Sequence, residues 1–151
     1  MYEIDDALMS KKQKELPNTD RTHAKILAMK LLRRAEKEVI IFCHRLAQDV
    51  YGSEEVCEAL DEAYQNNPDL NVQVYIRESA PEYSPFVDTL LVKGVRIHTN
   101  VHSKKGDILL VDGNGREEKS EKERKGQAYF NNQKWAESAR KRIEALIPVG
   151  A

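Results

Sequence analysis

The chain has 151 residues, 40% hydrophobic and 32% charged, with a formal net charge of −1 at pH 7 and an isoelectric point near 6.4. That length suits one domain around one core. The charge balance excludes the broad cationic surface that tight, sequence-blind DNA binding needs, and leaves room only for a local basic patch.

Residues 1–17 form a polar, charge-mixed arm in which Ile4, Ala7, Leu8 and Leu16 make a weak amphipathic face closed by Pro17. A frayed arm is expected there, with ordering against a partner subunit as the alternative. Residues 18–151 read as a single domain. Thr19-Asp20 offers a helix N-cap, and Ile26, Leu27, Met29, Leu31 and Ala35 keep helical spacing as far as Glu36. Residues 39–43 are a continuous apolar run of the buried-strand type. The run ends on His44-Arg45, at the strand end where ligands of open α/β sheets usually sit. Ser53 with Glu54 and Glu55 starts a second helix whose stripe is Val56, Cys57, Leu60, Ala63 and Tyr64, stopped before Pro68. Residues 72–76 alternate as a strand. Ser84-Pro85 opens a third helix that ends at Gly94, and residues 95–98 form a further strand.

Gly106-Asp107-Ile108-Leu109-Leu110-Val111-Asp112-Gly113 is the stretch on which the rest is organised. Four apolar residues between a glycine and an Asp-Gly turn predict an interior strand buried on both faces. From Arg116 to Lys125 no residue is apolar, so a mobile charged loop is expected across 114–126. Its charges nearly cancel, which argues against a dedicated nucleic-acid tail. A strand at 127–130 and a helix capped by Asn131 or Asn132, with Trp135, Ala139, Ile143 and Leu146 inward, complete the chain. This alternation predicts an α/β layered domain with a mixed, mostly parallel sheet flanked by helices.

The two cysteines, Cys43 and Cys57, fall at apolar positions and read as buried thiols of a reducing compartment. No apolar run has membrane-spanning length, and the start Met-Tyr-Glu-Ile-Asp-Asp lacks the regions of a signal peptide. A cytoplasmic protein without membrane contact is expected. No ligand pair has zinc-type spacing, so neither metal nor cofactor is expected.

The layout resembles one half of the phospholipase D-like superfamily, and in size the small bacterial nucleases of that group. The stretches that carry the likeness are residues 24–35 with the strand 39–43, then 72–76, 94–97, 106–113, and Ala128-Tyr129-Phe130-Asn131-Asn132. The resemblance implies a motif His-x-Lys-x4-Asp followed by Gly-Ser-x-Asn. In that chemistry a histidine attacks phosphorus, the partner half's histidine acts as general acid, and lysines hold phosphate oxygens. Residues two apart on a strand share a face, so the histidine and lysine reach one phosphate together. Anchoring the motif on Asp112 sets Lys105 in the histidine's place and Asp107 in the lysine's. Lys119-Ser120-Glu121-Lys122 then stands for Gly-Ser-x-Asn, and Arg124 falls where an orienting glutamate belongs. His102-x-Lys104 has the motif's internal spacing but lies three residues too early.

Two functions follow from the resemblance. One is a non-catalytic homodimeric module whose degenerate cleft, with His44, Arg45, Lys105 and Ser120 as ligand-binding groups, takes nucleic acid or a protein partner. The other is a phosphodiesterase or endonuclease using His102, Lys104 and Asp112. A purely structural subunit of a larger complex is a third reading. For the homodimer, the expectation is that His44, Arg45 and Lys105 of both chains surround one shared cleft.

Overall fold

The computed structural model describes residue 4 and residues 14–18, 21–46, 50–103, 106–118 and 126–146. In chain order the elements are β1 (Lys14–Asn18), α1 (Arg21–Arg33), β2 (Glu38–Cys43), α2 (Glu54–Asn66), β3 (Asn71–Ile76), α3 (Pro85–Val92), β4 (Ile97–His98), β5 (Ile108–Val111), β6 (Asn114–Glu118), β7 (Gly126–Phe130) and α4 (Gln133–Glu144). The strands form one sheet in the order β1-β7-β6-β5-β2-β3-β4.

Helices α1 to α3 cover one face. Their apolar stripes meet Val39, Ile41, Cys43, Val74, Ile76, Leu109 and Val111 in the larger core. Helix α4 covers the other, where Trp135, Ala136, Ala139 and Ile143 meet Ile40, Phe42, Tyr75, Ile108 and Leu110. β2 and β5 therefore bury alternate residues into both layers, which is why they read as unbroken apolar runs. The expected caps are in place. Ser53 accepts from the Val56 amide, Ser84 from the Val87 amide ahead of Pro85, and Asn132 from the Trp135 amide. Each satisfies an otherwise orphaned helix donor. Gly94, at φ +79°, ends α3 in the left-handed region.

The layered, mixed sheet is as expected, but its balance is not. β2–β3 and β3–β4 are parallel, whereas β2–β5, β5–β6, β6–β7 and β7–β1 are antiparallel. Antiparallel pairings thus dominate, because no helix intervenes between β5, β6 and β7 and a two-residue turn links the first two.

β6 occupies the first part of the stretch read as a mobile loop, and Gly126 belongs to β7; residues 119–125 lie outside the described residues. β6 has no apolar side chain, yet Arg116 and Glu118 are buried and pair at 3.0 Å, while Glu117 holds the Trp135 indole N–H and Arg142. The strand thus buries charge by matching it rather than by excluding it. Gly115 lets Trp135 lie across the strand, since a Cβ there would sit 2.5 Å from the ring and 2.0 Å from the Leu109 carbonyl. The arm is shorter than the expected 1–17, because Lys14 to Pro17 belong to the edge strand β1 and pair with β7. The proposed Thr19-Asp20 cap lies outside the described residues. α1 stops at Arg33, three residues before Glu36, and the strand expected at 95–98 is only Ile97–His98.

Candidate functional site at the sheet edge

The register gathers five strand ends on one edge. Cys43 is opposite Ile76 at the C-terminal ends of β2 and β3, Phe42 opposite Ile108, Ile108 opposite Glu117, and Glu118 opposite Gly126. The loops leaving β2 and β3 and the loop entering β5 therefore converge on this edge.

His44 and the described arginines of this edge each face a carboxylate. His44 Nε2 lies 2.8 Å from Glu78, and Arg45 Nε lies 3.7 Å from Glu82. Backbone bonds from Arg77 and Glu78 N–H to the His44 carbonyl, and from Glu82 N–H to the Arg45 carbonyl at 2.7 Å, bind the two loops together. Arg77 is deeper. Its side chain is 8% exposed and its guanidinium donates to Asp107 at 2.8 Å. It also lies over the Phe42 ring, 4.4 Å from the centroid, and reaches the Ser103 carbonyl. Asp107 is held in turn by its own carbonyl, which accepts from the Glu118 amide at 2.9 Å. Gly106 allows that approach, because a Cβ there would fall 2.5 Å from the Glu118 Cβ.

Behind the edge, Ala24, Ala28, Val50, Tyr51, Asp107, Leu109 and Arg116 enclose a cavity of about 20 Å³, room for one water and not for a phosphodiester. Burial pushes the Tyr51 phenol well above its usual range. Cys43, Asp107 and Glu118 add to that rise, and Arg116 opposes it.

Of the residues singled out for catalysis, the two that are described, His102 and Asp112, do not come together. Asp112 sits on the opposite edge, about 13 Å along the strand from Ile108 at about 3.3 Å per residue. Its carboxylate accepts the backbone N–H groups of Glu36, Lys37 and Glu38 at 3.0, 3.1 and 3.0 Å, fastening the turn into β2. It therefore does not meet His102. His102 is exposed, just past Val101, whose amide bonds the Ile76 carbonyl. His44 and Arg45 do lie on the edge. Lys104, Lys105 and Ser120 lie outside the described residues. Sequence reasoning missed Arg77, Tyr51, Arg116, Glu78 and Glu82. Arg77 had a usable signal: strands ending at 43 and 76, if parallel and adjacent, set residue 77 beside residue 44. Among the described residues no three His, Cys, Asp or Glu side chains come together as a metal site, and no helix is long and apolar enough to cross a membrane.

No protein-family model and no curated protein sequence matches the chain. Solved structures do. A phospholipase D family member, Nuc, from Salmonella typhimurium aligns with a TM-score of 0.60 at 13% identity, over 89% of this chain and 93% of that one. Phosphatidylserine synthase from Haemophilus influenzae aligns at 0.61 and 18% identity, over 95% of this chain and 39% of the synthase. TrmBL2, an archaeal chromatin protein with a novel mode of DNA binding, aligns at 0.64 and 8% identity, over 87% of this chain and 51% of that protein. The chain thus matches nearly the whole of Nuc and about half or less of the other two. At these identities the likeness establishes the fold, which is phospholipase D-like, and not an activity.

Proposed function

We propose that this phospholipase D-like fold serves as a catalytically silent, homodimeric module that binds a protein partner along the sheet edge. The observation that carries the reading is the Arg77–Asp107 pair. Where the resemblance asks for a phosphate-holding lysine, the chain presents a carboxylate fixed by a largely buried arginine. That carboxylate repels a substrate phosphate, and the small cavity behind it admits none.

A protein is favoured over a polyanion because, among the described residues, His44 and Arg45 already face Glu78 and Glu82, which lowers their attraction for phosphates. Nucleic acid remains as a second reading for two reasons. TrmBL2 is a DNA-binding chromatin protein. In addition, β6 withdraws Arg116, Glu117 and Glu118 from the charged run, so residues 119–125, which join β6 to β7, keep Lys119, Lys122, Arg124 and Lys125 against Glu121 and Glu123.

Turnover of bis(p-nitrophenyl) phosphate and of DNA, measured without metal, tests silence. None is expected, and turnover lost in His102→Ala would overturn the reading in favour of the enzyme. Oligonucleotide binding at two salt concentrations separates the partners. Weak binding at both supports a protein, whereas tight binding that falls steeply with salt supports nucleic acid.

A further inference from the structure

Tyr51 is 7% exposed, and its ring packs against Phe86 with 5.4 Å between centroids. Its hydroxyl makes no hydrogen bond to any of the described residues. Buried phenols nearly always find a partner, because a dry O–H forfeits a bond that water would supply. Tyr51 lines the cavity behind the sheet edge with Asp107 and Arg116, against an apolar wall that includes Ala28 and Leu109. At about 20 Å³ the cavity has the size of one water. Asp107 is the one lining residue that is not buried, so the mouth opens on the edge, beside the Arg77–Asp107 pair.

We infer that this cavity is a binding site for a single water, which takes the Tyr51 O–H and an Arg116 N–H and donates in turn to the Asp107 carboxylate. Three hydrogen bonds are the usual complement of a buried water. The charges around the cavity select water over an ion. Asp107 is matched by Arg77 at 2.8 Å and Arg116 by Glu118 at 3.0 Å, so no net charge is left for an anion or a cation to balance. The occupant has instead to accept from a phenol and a guanidinium and to give to a carboxylate, and water does both. Neither ion pair has to break, since a carboxylate accepts at both oxygens and a guanidinium carries five N–H donors. Asp107 and Arg116 also act on the Tyr51 phenol in opposite senses, behind the larger effects of burial and Cys43. The water thereby ties the segment before α2 to β6 and to the entry of β5, directly beneath the edge. The site does not depend on what that edge binds.

Crystallography of the full chain, at a resolution that orders internal waters, is the first test. One water within hydrogen-bond reach of the Tyr51 hydroxyl and of Asp107 or Arg116 supports the site. A dry cavity, or a Tyr51 hydroxyl bonded directly to a protein atom, overturns it. Urea unfolding at neutral pH is the second test, with far-UV circular dichroism confirming that each variant is folded. Ala28→Val fills the cavity from its apolar wall and expels the water, which leaves the hydroxyl dry. Tyr51→Phe should therefore lower the urea midpoint of the wild type, where it removes a bridged hydroxyl, and raise that of Ala28→Val, where it removes a stranded one. A shift of the same sign in both backgrounds overturns the bridge. Ala24→Val fills the same cavity and replaces Ala28→Val in the comparison if that variant does not fold.

Discussion

Replacing Asp112 decides whether its carboxylate serves structure or chemistry. It accepts three successive amides at the turn from α1 into β2. Hydrogen bonds to a charged group contribute about 1.5–3 kcal/mol each. The Glu36 and Lys37 amides are exposed and regain water when the carboxylate goes, so only the part-buried Glu38 bond counts in full. The lost bonds then amount to about 2–3 kcal/mol. Asp112 also sits at φ +56°, where alanine adds about 1 kcal/mol of strain that aspartate and asparagine largely escape. Asp112→Ala should therefore cost about 3–4 kcal/mol. Asp112→Gly should cost about 1 kcal/mol less, because glycine relieves the backbone. Asp112→Asn should cost least, since its amide oxygen still accepts from Lys37 and Glu38. Urea unfolding at neutral pH measures the series, and each kcal/mol should lower Tm by about 2–4 °C in a chain of this size. An alanine variant within about 0.5 kcal/mol of the parent, or a glycine variant less stable than alanine, would refute the clamp.

Other substitutions probe the two cores and the edge. Gly115→Ala should destabilise severely, by about 3 kcal/mol or more, because its Cβ meets the Leu109 carbonyl and the Trp135 ring; a near-parental Tm would mean β6 is loosely held. Leu110→Asp should unfold the chain in mild urea, since a charge there is fully buried between Ile40 and Gly115 on an interior strand, and a midpoint close to the parent's would make β5 peripheral. Asp107→Asn should cost about 2 kcal/mol, below the 3–5 of a fully buried pair because its side chain is 21% exposed. Adding Arg77→Met should recover part of that cost, and strictly additive losses in a double-mutant cycle would deny the coupling. Tyr51, with its folded-state pKa raised by burial, contributes stability that is fully present below the ordinary phenol pKa and lost as pH rises toward the folded value. Tyr51→Phe should make alkaline unfolding shallower, though not flat, because Tyr64 and Tyr75 are raised by burial too; an unchanged slope would exclude Tyr51 as a contributor.

What could be read in advance depended on how local the cause was. β2 and β5 are apolar because both faces are covered, and Ser53 and Ser84 cap through bonds to their own helices, so each left a mark in a few consecutive residues. β6 left none. Its burial rests on Arg116 meeting Glu118 and on Glu117 meeting Trp135 and Arg142, partners that only the folded sheet and α4 bring together. The edge divides the same way. His44 and Arg45 were visible as the polar end of a strand, while Glu78 and Glu82, which neutralise them, come from the loop after the neighbouring strand. The amides that Asp112 holds on the far edge were not legible either, because a motif position names a residue type and not its hydrogen-bond partners.

The strand β1 has a consequence for how the fold is reached. It pairs with β7 alone, and Lys14 opposite Phe130 joins residues 116 positions apart in the sequence. Closing a loop of that length costs about 4 kcal/mol of chain entropy, roughly (3/2)RT ln n before any constant. β5 and β6, by contrast, meet across a two-residue turn. The antiparallel half should therefore assemble from its hairpin outward, with β1 closing the sheet last and opening first, well below the energy of global unfolding. Once seated, it places Pro17 on the outermost strand, where the missing N–H weakens the edge as a template for further chains. The last strand to arrive is thus also the one that blunts its side of the sheet against further pairing.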